Sequence, residues 1–211
     1  MSYGKTRLPN STEEKNSTVN TNATPANLGA YYLSANASFF EPQRTNNFKL
    51  TISDLNTLLS KEDEDQSAAA ASVDDYIELS VKSCSVPHST TEKLTINRGN
   101  TQVHYAGKTT FGDGKVVIHD YIGADVKGTL IKWRNRVFDP NSEKTGLSGD
   151  YKCSATLTEY TPDYQLVRSY NLYGCWPSAL SEQDYDHDST ELKTIDMTLV
   201  YDKAVLDTSS T

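Results

Sequence analysis

The stretch YNLYGCWPSAL, Tyr170–Leu180, runs a half-polar strand into a Gly, a Cys, a Trp and a Pro. A proline crowds the residue before it and holds that residue near extended geometry, so Trp176 cannot open a helix. The segment reads as a strand that ends on its largest side chain and anchors an aromatic, either in the core or at a contact between copies.

Outward from this corner the hydrophobic period is mostly two. NNFKLTIS (46–53) puts Phe48, Leu50 and Ile52 on one face, with Lys49 and Thr51 on the other. YIELSVKSCSVP (76–87) starts in the same phase with Ile77, Leu79 and Val81. Cys84 and Val86 fall on the opposite parity, which predicts a strand with a bulge near Lys82–Ser83. TEKLTI and TQVHYA flank Asn97-Arg98-Gly99-Asn100, a connector suited to a hairpin. KVVIHDY (115–121), YKCSATLTEY (151–160), QLVRSYNLY (165–173) and ELKTIDMTLVYD (191–202) complete about eight strands. Only 123–140 breaks the period. There Val126, Leu130, Trp133 and Val137 are spaced 4, 3 and 4 and line one helix face, with Lys132, Arg134 and Arg136 toward its C-terminal end and Pro140 as its stop. The pattern predicts a mainly β domain, an antiparallel β-sandwich or partly open barrel with one packed α-helix.

Composition bounds the function. The chain has 211 residues and a formal net charge of -8, with a sequence pI of about 5.0. That size suits one domain with tails, and the acidic balance argues against gripping nucleic acid by phosphate neutralisation. No apolar run is long enough to span a membrane and no secretory signal is evident, so a cytosolic product with no membrane partner is expected. Cys84, Cys153 and Cys175 are odd in number and lack metal-ligand spacing, which predicts buried free thiols rather than a disulfide framework. Residues 1–38, rich in Asn, Thr and Ser, read as a flexible polar arm, 39–204 as the β-domain, and 205–211 as a polar tail. Within the domain, about 54–75 is an acidic insertion, expected to loop out between two strands.

Chemistry-bearing motifs are missing. No phosphate-binding glycine loop, HExxH or G-x-S-x-G pattern occurs. His119 and Asp120, adjacent in a strand, point to opposite faces and cannot pair catalytically. The carboxylates around His187 lack the glycine turn and oxygen spacing of a calcium loop. No catalytic, cofactor-binding or metal-ligating residue is assigned, no cofactor is expected, and an enzyme is the least favoured class.

The order of motifs is itself informative. An aromatic lead, FFEPQRTNNFKLTI, precedes SVKSCSVP, then KLTINRGNTQVHYAGKTTFGDGKVVIHDY, the helix with IKWRNRV, YKCSATLTEY and YNLYGCWPSAL. From about Phe39 to Ala204 this resembles the tube proteins of contractile-tailed (myophage) bacteriophages. The matching elements are Ala106, Gly107, Thr110 and Phe111, then helix Trp133, then Gly174, Trp176 and Pro177. The N-terminal arm and the acidic insertion depart from the family pattern.

The resemblance implies a structural virion protein, assembled in the host cytoplasm. Its hexameric rings would stack into a helical tube within a tail sheath, bounded by baseplate and tail terminator proteins. The tape measure protein and then DNA would occupy the lumen without sequence-specific binding. Candidate lumen residues are Glu78, Ser80, Lys82, Lys93, Thr95, Gln102 and His104. A baseplate tube initiator, a type VI secretion-like tube protein and a monomeric β-barrel that binds a small ligand remain alternatives.

Overall fold

The computed structural model describes residues 42–59, 73–188 and 190–207. The chain divides into Met1–Arg44 and Thr45–Thr211, and every element below lies in the second unit. The expected N-terminal arm and most of the acidic insertion lie outside the described residues.

Among the described residues there are eleven strands: β1 (Phe48–Ser53), β2 (Val81–Cys84), β3 (Ser89–Arg98), β4 (Thr101–Phe111), β5 (Gly114–His119), β6 (Phe138–Asp139), β7 (Lys144–Thr145), β8 (Cys153–Tyr160), β9 (Leu166–Glu182), β10 (Thr194–Val200) and β11 (Lys203–Asp207). The helices are α1 (Leu55–Leu59), α2 (Val73–Ser80), α3 (Val126–Val137) and α4 (Ser148–Tyr151). The main sheet is antiparallel, in the order β1-β8-β9-β10-β5-β2 with β11 also on β9.

The 17-residue strand β9 organises this sheet. Its first half, up to Cys175, pairs with β8 on one side, while β11 pairs with Ser169–Tyr173 on the other. Its second half, from Trp176 to Glu182, pairs with β10. One strand thus passes from one leaf of the sheet to the next, as strands do at the corners of packed sheets. Gly174 makes the corner, with φ +68, a left-handed conformation that costs an L-residue strain. The expected strand end at Trp176 is therefore corrected. The chain stays extended through Trp176-Pro177, and what happens there is a change of leaf. Pro177 is tolerated because the register shifts beside it, Thr198 facing Ala179 but Leu199 facing Pro177.

Both leaves feed one core. Leu50, Ile52, Leu157 and Leu172 come from the first leaf, and Val116, Ile118, Ile195, Met197 and Leu199 from the second. Helix α3 packs on β9 and adds Val126, Leu130 and Trp133, all fully buried. Val137 of the expected stripe is only half-buried, and the helix ends there rather than at Pro140. The Asp125 carboxylate caps its N-terminus by accepting from the Gly128 N–H at 2.9 Å.

Other corrections concern 54–80 and the C-terminus. The described ends of the insertion expected to loop out are helical, α1 with Leu55 and Leu58 buried in the core and the start of α2. Residues 76–80 form the end of α2 rather than a strand, so Ile77 is buried while Leu79 is 78% exposed. Helix α2 packs on β1, so more than one helix is packed. Its Glu78 accepts from the Thr51 hydroxyl at 2.7 Å and pairs with Lys49 at 2.8 Å. The shift of phase does occur where expected, as the β2–β5 register slips between Val81 and Ser83. Residues 205–207, expected in a polar tail, instead belong to β11 and pair with β9.

The cysteines are free, with Cys153 and Cys175 buried opposite each other on β8 and β9 and Cys84 half-buried. Burial pushes the Cys84 thiol up to about 11 and the Cys175 thiol up to about 12, and raises Cys153 too. The unfolded chain ionises these thiols near 9.0, so above that pH the native state holds more protons and stability falls as pH rises. The expected result is slow labelling of all three thiols by a thiol reagent at neutral pH, prompt labelling in denaturant, and a melting temperature that drops above pH 9. Prompt labelling of Cys153 or Cys175 in the folded protein contradicts this packing.

Candidate assembly interface

Strands β3 and β4 form a hairpin that is exposed almost throughout. At the turn, Gly99 takes a positive φ of 59, as a tight hairpin turn requires. Near the base Gly107 lies against Glu92, where an added Cβ would sit 3.1 Å from the Glu92 carbonyl oxygen. The absent side chain admits the register shift between Thr91 and Lys93. The hairpin's root is closed, with the Gly112 N–H donating to the His88 carbonyl at 3.1 Å and the Phe111 and Tyr201 rings 6.3 Å apart.

Cross-strand register gives the hairpin two unlike faces. Leu94 opposes Tyr105, Ile96 opposes Val103 and Arg98 opposes Thr101, forming an apolar stripe that ends in a guanidinium at the tip. The four apolar side chains are 43–56% exposed. The opposite face pairs Lys93 with Ala106, Thr95 with His104 and Asn97 with Gln102, and the Thr95 hydroxyl meets His104 Nδ1 at 3.2 Å. Four expected lumen residues, Lys93, Thr95, Gln102 and His104, therefore share one polar face. Lys82 is exposed on β2. Glu78 and Ser80 do not join them, because α2 holds Glu78 against β1 and buries Ser80, whose hydroxyl donates to the Tyr76 carbonyl.

An isolated two-stranded hairpin is marginal in water, and full burial of one such side chain is worth about 1.5–3 kcal/mol. An arm of this length with an open apolar stripe is built to be covered. The sheet offers a second kind of contact. Among the described residues β11 is paired only through β9, and the far half of β9 only through β10. Such edges present unpaired backbone donors and acceptors.

The other end of β10 carries a different surface. Here the Asp120 N–H donates to the Lys193 carbonyl at 3.1 Å, joining the loop after β5 to the loop between β9 and β10. Tyr121, Ile122, Tyr185 and Leu192 stand exposed there, at 50%, 108%, 83% and 74%. Lys127 and Lys193 clamp Glu182 at 2.8 and 3.0 Å and hold its carboxyl below the usual range. The Lys193 ammonium also lies 4.1 Å from the centre of the Tyr185 ring. His119, its ring tilted by 52° to that of Tyr121 with centroids 6.1 Å apart, keeps a buried Nδ1 with no hydrogen-bond partner among the described residues.

No group of His, Cys, Asp or Glu among the described residues is arranged to hold a metal ion. No helix among them is long and apolar enough to cross a membrane. What the fold displays is contact surface.

Residues 44–205 match the family model described as T4-like virus tail tube protein gp19. The chain belongs to this family. The tail tube family is structural, and membership makes the protein a component of a virion tail. No curated protein matches the chain. Among solved structures, the tube-terminating cap of the anti-feeding prophage is similar at 15% identity and a TM-score of 0.56, over 80% of this chain and 92% of that one. The sheath–tube complex of an extracellular contractile injection system, PVC, in its extended state gives 13% identity and a TM-score of 0.55, over 84% and 97%. Its sheath/tube terminator gives 15% and 0.55, over 79% and 96%. At these identities the likeness concerns the fold of the tail tube protein alone.

The structure places the motifs quoted from the sequence. Ala106-Gly107 lies at the register shift of the hairpin and Gly174 at the corner of β9. Trp176, half-buried rather than a core residue, packs edge-on against Tyr151 at 5.9 Å. The carbonyl of the same Tyr151 accepts from Trp133 Nε1 at 2.8 Å. The two tryptophans thus meet at one tyrosine between α3 and the corner. Sequence reasoning did not foresee the exposed rim at Tyr121 and Tyr185, whose only signal was large apolar residues inside polar loops.

Proposed function

We propose that this tail tube protein forms six-membered rings that stack into the inner tube of a contractile tail, assembled in the host cytoplasm. A sheath surrounds that tube, baseplate and terminator proteins bound its ends, and its lumen holds the tape measure protein and then passes DNA during ejection. The observation that carries this reading is the exposed hairpin with two chemically different faces. Its apolar stripe suits burial against a neighbouring copy. Its polar face, with Lys93, Thr95, Gln102 and His104, suits a water-filled channel. The open edges at β11 and the far half of β9 fit lateral pairing, since closing a ring removes exposed edges. The net charge of -8 suits a conduit that DNA traverses without sticking, because no counterion release favours a stop.

Electron microscopy and light scattering of the purified protein test this. Hollow tubes of stacked hexamers are expected. Replacing Thr90–Thr110 with a short Gly/Ser turn, across the closed root at His88 and Gly112, is expected to leave a folded subunit that makes no tubes. A parent that stays monomeric at high concentration under every salt condition refutes the reading. Single rings that never stack favour a tube initiator or terminator instead.

A further inference from the structure

The hairpin and the Tyr121/Tyr185 rim lie at opposite ends of β10. The hairpin root touches Tyr201, just beyond its last residue, and the rim joins at Lys193, just before its first. The two surfaces also match in chemistry. The hairpin stripe is apolar, ends in Arg98, and belongs to a segment with three cations, Lys93, Arg98 and Lys108, against one carboxylate, Glu92. The rim exposes Tyr121, Ile122, Tyr185 and Leu192. Its loop 183–193 carries Asp184, Asp186, Asp188 and Glu191 against Lys193, and that lysine is engaged by Glu182 and Tyr185.

Building on the tube reading, we propose that the rim of one copy receives the hairpin of a copy in the next ring. The apolar stripe lies on Tyr121, Ile122, Tyr185 and Leu192, and the Arg98 guanidinium pairs with the carboxylates of Asp184, Asp186 and Asp188. Two different surfaces at opposite ends of one subunit make a heterologous contact, which repeats without closing and so gives a filament with a direction. A guanidinium presents a planar fork that a carboxylate accepts bidentately, so Arg98 fixes register as well as charge. Because these groups are exposed, the contact weakens as salt rises.

Charge reversal tests the contact, using Arg98→Glu on the hairpin and Asp184→Arg/Asp186→Arg/Asp188→Arg on the rim. All four positions are exposed, so the subunit fold is expected to survive in both variants. Each variant alone is expected to form rings whose stacking is weakened more than about tenfold, since like charges are brought together. An equimolar mixture is expected to recover tubes. The reversed hairpin meets the reversed rim at one junction, and the two unaltered surfaces meet at the next, so the two rings alternate. Arg98→Lys is expected to stack at an intermediate level, keeping the charge without the fork.

Three results overturn the contact while leaving the tube reading intact. Arg98→Glu builds tubes like the parent's, the mixture stays as rings, or Arg98→Glu loses rings as well as tubes, which assigns the hairpin to the lateral contact. A parent that forms no rings overturns the tube reading, and this contact with it.

Discussion

Replacing Trp133 with alanine is expected to remove about 3–5 kcal/mol of subunit stability, as large aromatic truncations in cores do. The melting temperature should fall by roughly 10 °C for a domain of this size. Among the described residues Trp133 is the largest fully buried side chain, at 0% exposure. It belongs to the same core cluster as Leu130 and Val126, on a helix that packs against β9, where a cavity cannot easily close. It also donates to the Tyr151 carbonyl, so truncation leaves that acceptor without its partner. Trp133→Phe separates the two losses. It keeps most of the ring volume while deleting the donor, and is expected to cost about 1–3 kcal/mol. If the alanine variant melts within about 2 °C of the parent, the position of α3 on β9 is wrong. The test reads the subunit alone by circular dichroism or calorimetry, so assembly does not enter it.

Trp133 was legible in the sequence because apolar residues spaced 4, 3 and 4 fall on one side of a helix and on both sides of a strand. The alternation of 46–53, the hairpin about Gly99 and the phase shift at Lys82–Ser83 were legible in the same way, since each is a local pattern with a local cause. Residues 76–80 were not. Ile77 and Leu79 mimic the period of a strand, but the buried positions of α2 are Ile77 and Ser80, and a serine gives no hydrophobic signal. Asp74 and Asp75 in its first turn do favour a helix start, yet they also read as the end of an acidic loop. What covers the hairpin was not legible either. Alternation at Leu94, Ile96, Val103 and Tyr105 promises a covered face, and within one subunit that face is open. Periodicity reports that a surface is meant to be buried, and is silent on whether the cover belongs to the same chain.

Gly174→Val is expected to be the most damaging change at the corner of β9, costing about 2–3 kcal/mol from backbone strain alone. Two effects act there. The residue sits at φ +68, which a β-branched side chain adopts only under strain. An added Cβ would also fall 2.8 Å from Asp202 Cγ and closer still to its Oδ2, so the carboxylate must move and release Lys152, which it holds at 2.7 Å. That ion pair is largely exposed and its loss is a small part of the cost. A double-mutant cycle with Asp202→Gly isolates the steric part. With the carboxylate gone, Gly174→Val should become milder but not neutral, because the φ strain persists. On the proposed ring reading, assembly should suffer more than stability suggests, since the corner aims the far half of β9 and the adjacent β11 edge together. A Gly174→Val subunit that is as stable as the parent and forms tubes of parental length would show that β9 passes between the leaves without a left-handed residue.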